Sequence, residues 1–372
     1  MAGTRKRLHR VVIVFSFILC VTISYVNCVG CISQSNEPID WFIAYKLPGH
    51  QKEVPLNSFF YMDAKSPEWT LSSKVMSDRG QAIYNTLDQI YQTSFKNVSK
   101  VNSELLYLMY NDEVPASAPY HRSDENGHTK GVIAFDRQSG FWLVHSTPKF
   151  PPARSRGYDW PSSADIYGQS FLCISMDTSK NIDEIGIQLQ YNYPDIYDYY
   201  VPEYLGSKYT SMTDAIAGKH VTKEPWYRET ELTSLDGVTF NSFAKYSKFD
   251  NDLYSDLLAT RFSSSLLVET WQNGVKKMCS NCTGKYKVFN VETLLFQKQD
   301  VQFKETQDHS KWAVTNSTDS IWTCIGDINR QVSQMMRPGG TVCFQNKSVW
   351  KSFHGLINSY HNCGPYRECI PP

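Results

Sequence analysis

Two stretches decide how this chain is read: Gly127-His128-Thr129-Lys130-Gly131 and Asp308-His309-Ser310-Lys311-Trp312. Each carries His-x-Lys. In an extended strand, residues i and i+2 lie on one face, so each copy can aim an imidazole and an ammonium at one spot. Two copies facing each other would place two histidines and two lysines around a shared centre. That set suits a phosphodiester. One imidazole can attack phosphorus, the other can protonate the leaving oxygen, and the lysines can hold the phosphoryl oxygens.

The flanking sequence repeats as well. After the first copy come Val132 to Phe135, the turn Arg137-Gln138-Ser139-Gly140, and the return strand Phe141-Trp142-Leu143-Val144. After the second come a polar turn and the return strand Ile321-Trp322-Thr323-Cys324. His128 to Trp142 is fourteen positions and His309 to Trp322 is thirteen. Polar residues follow each return strand: His145-Ser146 in one half, Gly326-Asp327-Ile328-Asn329 in the other. Upstream of the first copy, strands are expected over 41–45 and 105–110, with a helix over 77–91. The second half is expected to hold a helix over 252–262 capped by Asn251, a strand over 266–271 ending at the turn Asn273-Gly274, and a strand over 286–296. A duplicated α/β unit with a site on the pseudo-twofold axis accounts for this pattern. The halves are expected to meet within 191–225, giving an N-terminal lobe over 31–205 and a C-terminal lobe over 206–372.

The first thirty residues read as a secretory leader. Arg5, Lys6, Arg7 and Arg10 precede an apolar run, with Cys28 and Gly30 at −3 and −1 of an expected cleavage site. The strongly apolar run is about 13–16 residues, short of the roughly 20 that span a bilayer, so no membrane attachment is expected once the leader is cut. Eight cysteines remain, an even number that argues for disulfides rather than a redox or zinc site at Cys279-Ser280-Asn281-Cys282. Asn97, Asn281, Asn316 and Asn346 head glycosylation sequons.

The full chain carries 37 basic and 37 acidic residues. The leader removes four basic residues and no acidic ones, which leaves the mature chain at −4; protonating its eight histidines would bring it to +4. Such a chain is expected to bind a polyanion better in acid than at neutrality; the other reading is that net charge says little about a local patch.

The repeated His-x-Lys, strand and polar loop resemble the phospholipase D superfamily. Within it, the chain is similar to the deoxyribonuclease II family over nearly all of its mature length. The residues that carry this likeness are Asp40-Trp41-Phe42-Ile43-Ala44-Tyr45-Lys46-Leu47-Pro48, both His-x-Lys copies, Gly140-Phe141-Trp142-Leu143-Val144-His145-Ser146, Ser242-Phe243-Ala244-Lys245, Asp252-Leu253-Tyr254 and Trp322-Thr323-Cys324-Ile325-Gly326-Asp327. The resemblance implies an α/β fold of two pseudo-symmetric lobes, each a mixed sheet flanked by helices. It also implies a lysosomal, or secreted, acid endonuclease that uses no metal or other cofactor and leaves 3′-phosphate ends. The expected substrate is double-stranded DNA with little sequence preference, since phosphate contacts carry no base information. The same resemblance suggests the disulfides Cys31–Cys173, Cys282–Cys363 and Cys324–Cys343, which leaves Cys279 with Cys369.

His128, His309, Lys130 and Lys311 are the expected catalytic set, through a phosphohistidine intermediate. His145, Ser146, Asp327 and Asn329 are expected to orient the imidazoles or donate to phosphate oxygens. His128 is the first choice as nucleophile, with His309 indispensable. A neighbouring ammonium would lower a histidine pKa; a carboxylate such as Asp327 or Asp308 would raise it. Two other readings are a lipid phosphodiesterase and a non-catalytic binding protein that keeps the fold. The sequence leaves the oligomeric state open.

Overall fold

The computed structural model describes residues 28–49, 51–52, 54–92, 104–119, 125–273 and 276–363. Most of the leader, Asn97, Gly274 and Cys369 lie outside the described residues.

The first half begins with a small ribbon, β1 (Cys31–Ile32) and β2 (Pro38–Ile39). It then supplies β3 (Trp41–Lys46), β4 (Ser58–Asp63), β5 (Thr70–Val75), β6 (Leu106–Asn111), β7 (Lys130–Phe135), β8 (Ser139–His145), β9 (Gln169–Asp177) and β10 (Ile196–Tyr200). These eight form a sheet in the order β10-β6-β7-β8-β9-β3-β4-β5, with every neighbouring pair antiparallel. The second half supplies β11 (Tyr227–Thr233), β12 (Thr239–Lys245), β13 (Leu266–Glu269), β14 (Val288–Phe296), β15 (Val301–Lys304), β16 (Trp312–Thr315), β17 (Trp322–Gly326), β18 (Gly339–Gln345) and β19 (Ile357–Tyr360). Its order is β11-β12-β18-β17-β16-β13-β14-β15, with β19 on β14 and one parallel pair, β13 with β14. The chain is thus mixed α/β, with two large sheets, of which the second is the mixed one.

The central strands are apolar on both faces and buried on both, as sheets sandwiched in a core require. Between the sheets, Phe60 stacks on Phe296 with ring centroids 3.9 Å apart, and Trp41 meets Phe344 at 5.5 Å. Helix α1 (Ala82–Tyr91) covers the outer face of the first sheet through Ile83, Leu87 and Ile90. On the second sheet the outer layer contains Leu253, Tyr254, Leu257 and Leu258. Helix α2 (Thr178–Asn192) buries Ile182, Ile185 and Leu189 in the shared core.

Two expected helices start elsewhere. The first begins at Ala82, because the Gln81 side chain accepts from the Ile83 amide and caps it there. The second is not a plain α-helix capped by Asn251. Asp252 is the cap, accepting from the amides of Tyr254 and Ser255, and Leu253–Leu258 winds as a π-helix before the short α-helix Ala259–Arg261. Asp252 is fixed there by Arg330, 3.1 Å away and fully buried. The wider turn brings the Tyr254 hydroxyl to the Ile328 carbonyl at 2.6 Å, beside the loop that follows β17. Strand ends also shift: β13 stops at Glu269 and β14 starts at Val288.

Cys31–Cys173, Cys282–Cys363 and Cys324–Cys343 are bonded as expected. Cys279 is also disulfide-bonded. Asn316 is exposed in the turn between β16 and β17, and Asn346 Oδ1 caps the helix Lys347–His354 by accepting from the amides of Ser348 and Val349.

Candidate active site

The pairing registers define a residue-by-residue equivalence between the halves. Gly131 lies opposite Val144, as Trp312 lies opposite Ile325. His145 lies opposite Phe171, as Gly326 lies opposite Thr341. Lys46 lies opposite Gln169, as Lys245 lies opposite Gly339. The histidines, the His-x-Lys lysines, Ser146 with Asp327, Gly168 with Pro338, and Lys46 with Lys245 therefore correspond. Trp142 and Trp322 do not: Trp142 is matched by Thr323, which removes the one-residue mismatch in their spacing.

The two imidazoles meet. Their ring centroids are 6.4 Å apart, with planes at 80°. Neither histidine sits within a strand. Each lies in the run-in, two residues before Lys130 at the start of β7 or three before Trp312 at the start of β16. What orients them is the opposite half. The His128 amide donates to the Pro338 carbonyl, and the His309 amide donates to the Gly168 carbonyl, each at 2.9 Å. His128 Nδ1 lies 2.8 Å from the Asp327 carbonyl oxygen, and His309 Nδ1 lies 3.0 Å from the Ser146 carbonyl oxygen. A carbonyl can only accept, so both Nδ1 atoms carry hydrogen and both neutral rings keep an Nε2 lone pair. Ser146 and Asp327 thus act through their main chains, as equivalent residues of the two halves.

The loops that carry Gly168 and Pro338 are held in the same way. Lys46, at the end of β3, donates from Nζ to the carbonyls of Ala164, Asp165 and Tyr167. Lys245, at the end of β12, donates to those of Gln334, Met335 and Arg337. The positions relative to Gly168 and Pro338 are identical. Both ammonium groups are buried, which pushes Lys46 down to about 7 and Lys245 to about 8, so both stay charged donors in acid.

Lys130 and Lys311 are each 1% exposed. Lys130 pairs with Asp112, and Lys311 donates to the His309 carbonyl at 2.6 Å. Burial first, and then repulsion from Lys130, push Lys311 well below the usual lysine range. Two buried ammonium groups whose charges repel form a place for an anion. Both imidazoles are driven well below the usual histidine value, by burial first and then by the lysines. Asp327 is pushed up to about 7 by burial; its Oδ2 accepts from the Lys130 amide at 3.2 Å. Asp308 is committed to Tyr45 and Ser310 rather than to an imidazole. His145 is fully buried, stacked on Phe171, with Nδ1 accepting from the Thr147 amide. Asn329 is buried, and its Oδ1 has no hydrogen-bond partner among the described residues.

Beside the imidazoles, the pseudo-symmetry breaks at two pairs of positions. Tyr110 lies opposite Gly131 and Glu269 lies opposite Trp312, so Asp112 and Trp271, each two residues further on, correspond. Asp112 Oδ2 is 3.7 Å from His128 Nε2 and 3.0 Å from Arg337 Nη2. Trp271 instead lies against His309 with ring centroids 5.4 Å apart, and Tyr167 packs on Trp271 at 4.5 Å. Tyr167 and Arg337 also correspond, each one residue before Gly168 or Pro338. An ion pair lines the His128 side and an aromatic pair lines the His309 side. Asp112, Arg337, Trp271, Tyr167 and the two lysine staples are absent from the sequence-derived set. A lysine ending an apolar strand in each half was the available signal for the staples. Nothing local marks the other four.

Residues 30–363 match the family model described as Deoxyribonuclease II. The chain is 44% identical over 362 residues to Plancitoxin-1 of Acanthaster planci, covering 95% of this chain and 99% of that protein. It is 39% identical over 342 residues to Deoxyribonuclease-2-alpha of Mus musculus, covering 91% and 94%. It is 34% identical to Deoxyribonuclease-2-beta of Homo sapiens, covering 90% and 92%.

The staples carry a direct consequence. Lys245→Met leaves three carbonyls without their donor and releases the loop that docks His128. Urea unfolding should show a loss of about 3 kcal/mol or more, since one unsatisfied buried group costs about 1–3 kcal/mol, and catalytic turnover should fall with it. A loss under about 1 kcal/mol with unchanged turnover would remove the staple from the account.

Proposed function

The chain belongs to the deoxyribonuclease II family and is a hydrolase of that type; on this premise we propose that it cuts DNA by a metal-independent phosphohistidine route that leaves 3′-phosphate ends. The observation that carries the route is the pair of imidazoles with both Nδ1 hydrogens committed to main-chain carbonyls and both Nε2 atoms available.

The asymmetry assigns the parts. A carboxylate beside Nε2 favours the protonated ring, and Asp112 stands beside His128. His128 is therefore the acid, and His309, against an indole rather than a carboxylate, is the nucleophile. This reverses the first choice made from sequence. In the first step the His309 Nε2 lone pair forms a bond to phosphorus. The P–O5′ bond breaks, and the proton on His128 Nε2 passes to the departing 5′-oxygen. In the second step His128 Nε2 takes a proton from water as the water oxygen attacks phosphorus. The P–N bond breaks and the 3′-phosphate departs. Lys130 and Lys311 stabilise the charge on the phosphoryl oxygens, and the anion in turn relieves their mutual repulsion.

The enzyme is an acid endonuclease, and the site supplies a reason. Burial and the lysines hold both imidazoles well below their usual value, so the charged acid form accumulates only in acid solution. A net charge that rises with histidine protonation favours polyanion binding in the same range. Phosphate-directed contacts support low sequence preference on duplex DNA. The leader, sequons and disulfides support routing through the secretory pathway to the lysosome, or secretion. Among the described residues no helix is long and apolar enough to cross a membrane. The two lobes are taken to divide near residue 205, between β10 and β11.

Purified protein at pH 5 in EDTA should nick and linearise plasmid and leave 3′-phosphate ends. Cleavage that stops with chelation, or 5′-phosphate ends, contradicts the route. With thymidine 3′-(4-nitrophenyl phosphate), whose leaving group needs no proton, His128→Ala should still release a burst of nitrophenolate and His309→Ala should release none. The opposite pattern exchanges the roles.

Asp112→Asn removes the charge that favours protonated His128. The imidazole pKa falls, so the neutral-side limb of the pH–rate profile should move to lower pH. Turnover of DNA at pH 5 should drop by about 10²-fold, the low end of a general acid's contribution. An unmoved limb would detach Asp112 from the acid.

A further inference from the structure

Trp271 and Tyr167 neither bond to phosphorus nor move a proton in the route above, yet they occupy the positions that on the other side hold Asp112 and Arg337. We propose that this aromatic pair is a nucleoside-stacking subsite, holding the nucleoside that keeps the phosphate while the reaction runs. The proposal rests on the function proposed above and deepens it.

Three observations lead there. First, the wall is built from both halves, Tyr167 from the loop before β9 and Trp271 from the segment after β13, as its ionic counterpart is. Tyr167 is fixed by its own carbonyl, which accepts from Lys46 Nζ at 3.0 Å. Second, both rings are only partly buried, unlike Trp41 and Trp312, which are closed in the core. They pack on each other at 4.5 Å and 78° while Trp271 reaches His309 at 5.4 Å, so a partly exposed aromatic pair lies directly against the His309 ring. Third, the two walls differ in kind. The Asp112–Arg337 ion pair offers charge and no apolar face. A base has an apolar face in every sequence, and stacking on an aromatic side chain is tolerant of base identity. It therefore adds hold on the substrate without adding base preference.

The position selects which nucleoside. The 5′-oxygen leaves on the side of the acid, His128, where the ion pair stands. The nucleoside bonded through its 3′-oxygen stays on phosphorus after His309 attacks. It remains next to His309 and therefore next to Trp271. The aromatic wall thus gives the cleft a direction along the strand: retained nucleoside on the indole side, departing one on the ionic side.

The test is titration calorimetry of the intact mature protein at pH 5 with three probes: thymidine 3′-phosphate, thymidine 5′-phosphate and inorganic phosphate. Thymidine 3′-phosphate should bind at least about fivefold more tightly than either of the others, the low end of what stacking one base is worth. Trp271→Ala should erase that advantage, and Trp271→Phe, which keeps an aromatic face, should retain most of it. Equal affinities in the wild type, or an advantage that survives Trp271→Ala, would overturn the subsite. A role limited to orienting His309 would show as equal affinities together with low turnover. Plasmid cleavage by the same wild-type preparation separates the two levels: cleavage without a 3′-phosphate advantage sinks the subsite alone, and no cleavage at pH 5 sinks the nuclease reading on which it rests.

Discussion

The structure depends on two hydrogen bonds that cross between its halves: His128 Nδ1 to the Asp327 carbonyl and His309 Nδ1 to the Ser146 carbonyl. Each histidine is oriented by main chain of the half that does not contain it. The site exists only when both halves are docked, and docking is secured by the core that the two sheets share, with Phe60 on Phe296 and Trp41 on Phe344. A carbonyl acceptor also fixes the tautomer, which a side-chain hydroxyl would not. The same two bonds thus set ring orientation, tautomer and the direction of the Nε2 lone pairs.

Duplication supplies matched parts, but the proposed phosphohistidine route needs unmatched ones: a neutral nucleophile and a charged acid. Two identical imidazoles in identical surroundings could not be told apart by a proton. Asp112 against Trp271, and Arg337 against Tyr167, differentiate them. The lysine staples at Lys46 and Lys245 keep their symmetry because their task, holding a loop by three carbonyls, is the same on both sides. The lysine staples are alike in the two halves, whereas the side chains flanking the two imidazoles differ.

Much of this was legible in the chain. His-x-Lys with its strand and polar loop marked the site and the duplication, and the apolar strands around 41–45 and 141–144 fell where expected. Three disulfides followed from the family resemblance. What could not be read was anything set by long-range pairing. Asp112 reaches the site because β6 pairs with β7, and Trp271 because β13 pairs with β16. Arg337 pairs with Asp112 across 225 positions of chain. The π-helix at Leu253–Leu258 reflects the buried Asp252–Arg330 pair, a tertiary contact that no local propensity encodes. The roles proposed for the two histidines rest on contacts of the same class, Asp112 beside His128 and Trp271 beside His309.

The most direct test of the central claim is the tautomer of each site histidine. ¹⁵N NMR of the mature protein at neutral pH, with His128→Asn and His309→Asn spectra for assignment, reads which ring nitrogen carries hydrogen. Both His128 and His309 should be Nδ1–H with unprotonated Nε2. Finding Nε2–H at either residue would mean that its carbonyl bond is not made, and that two lone pairs do not converge on one phosphorus.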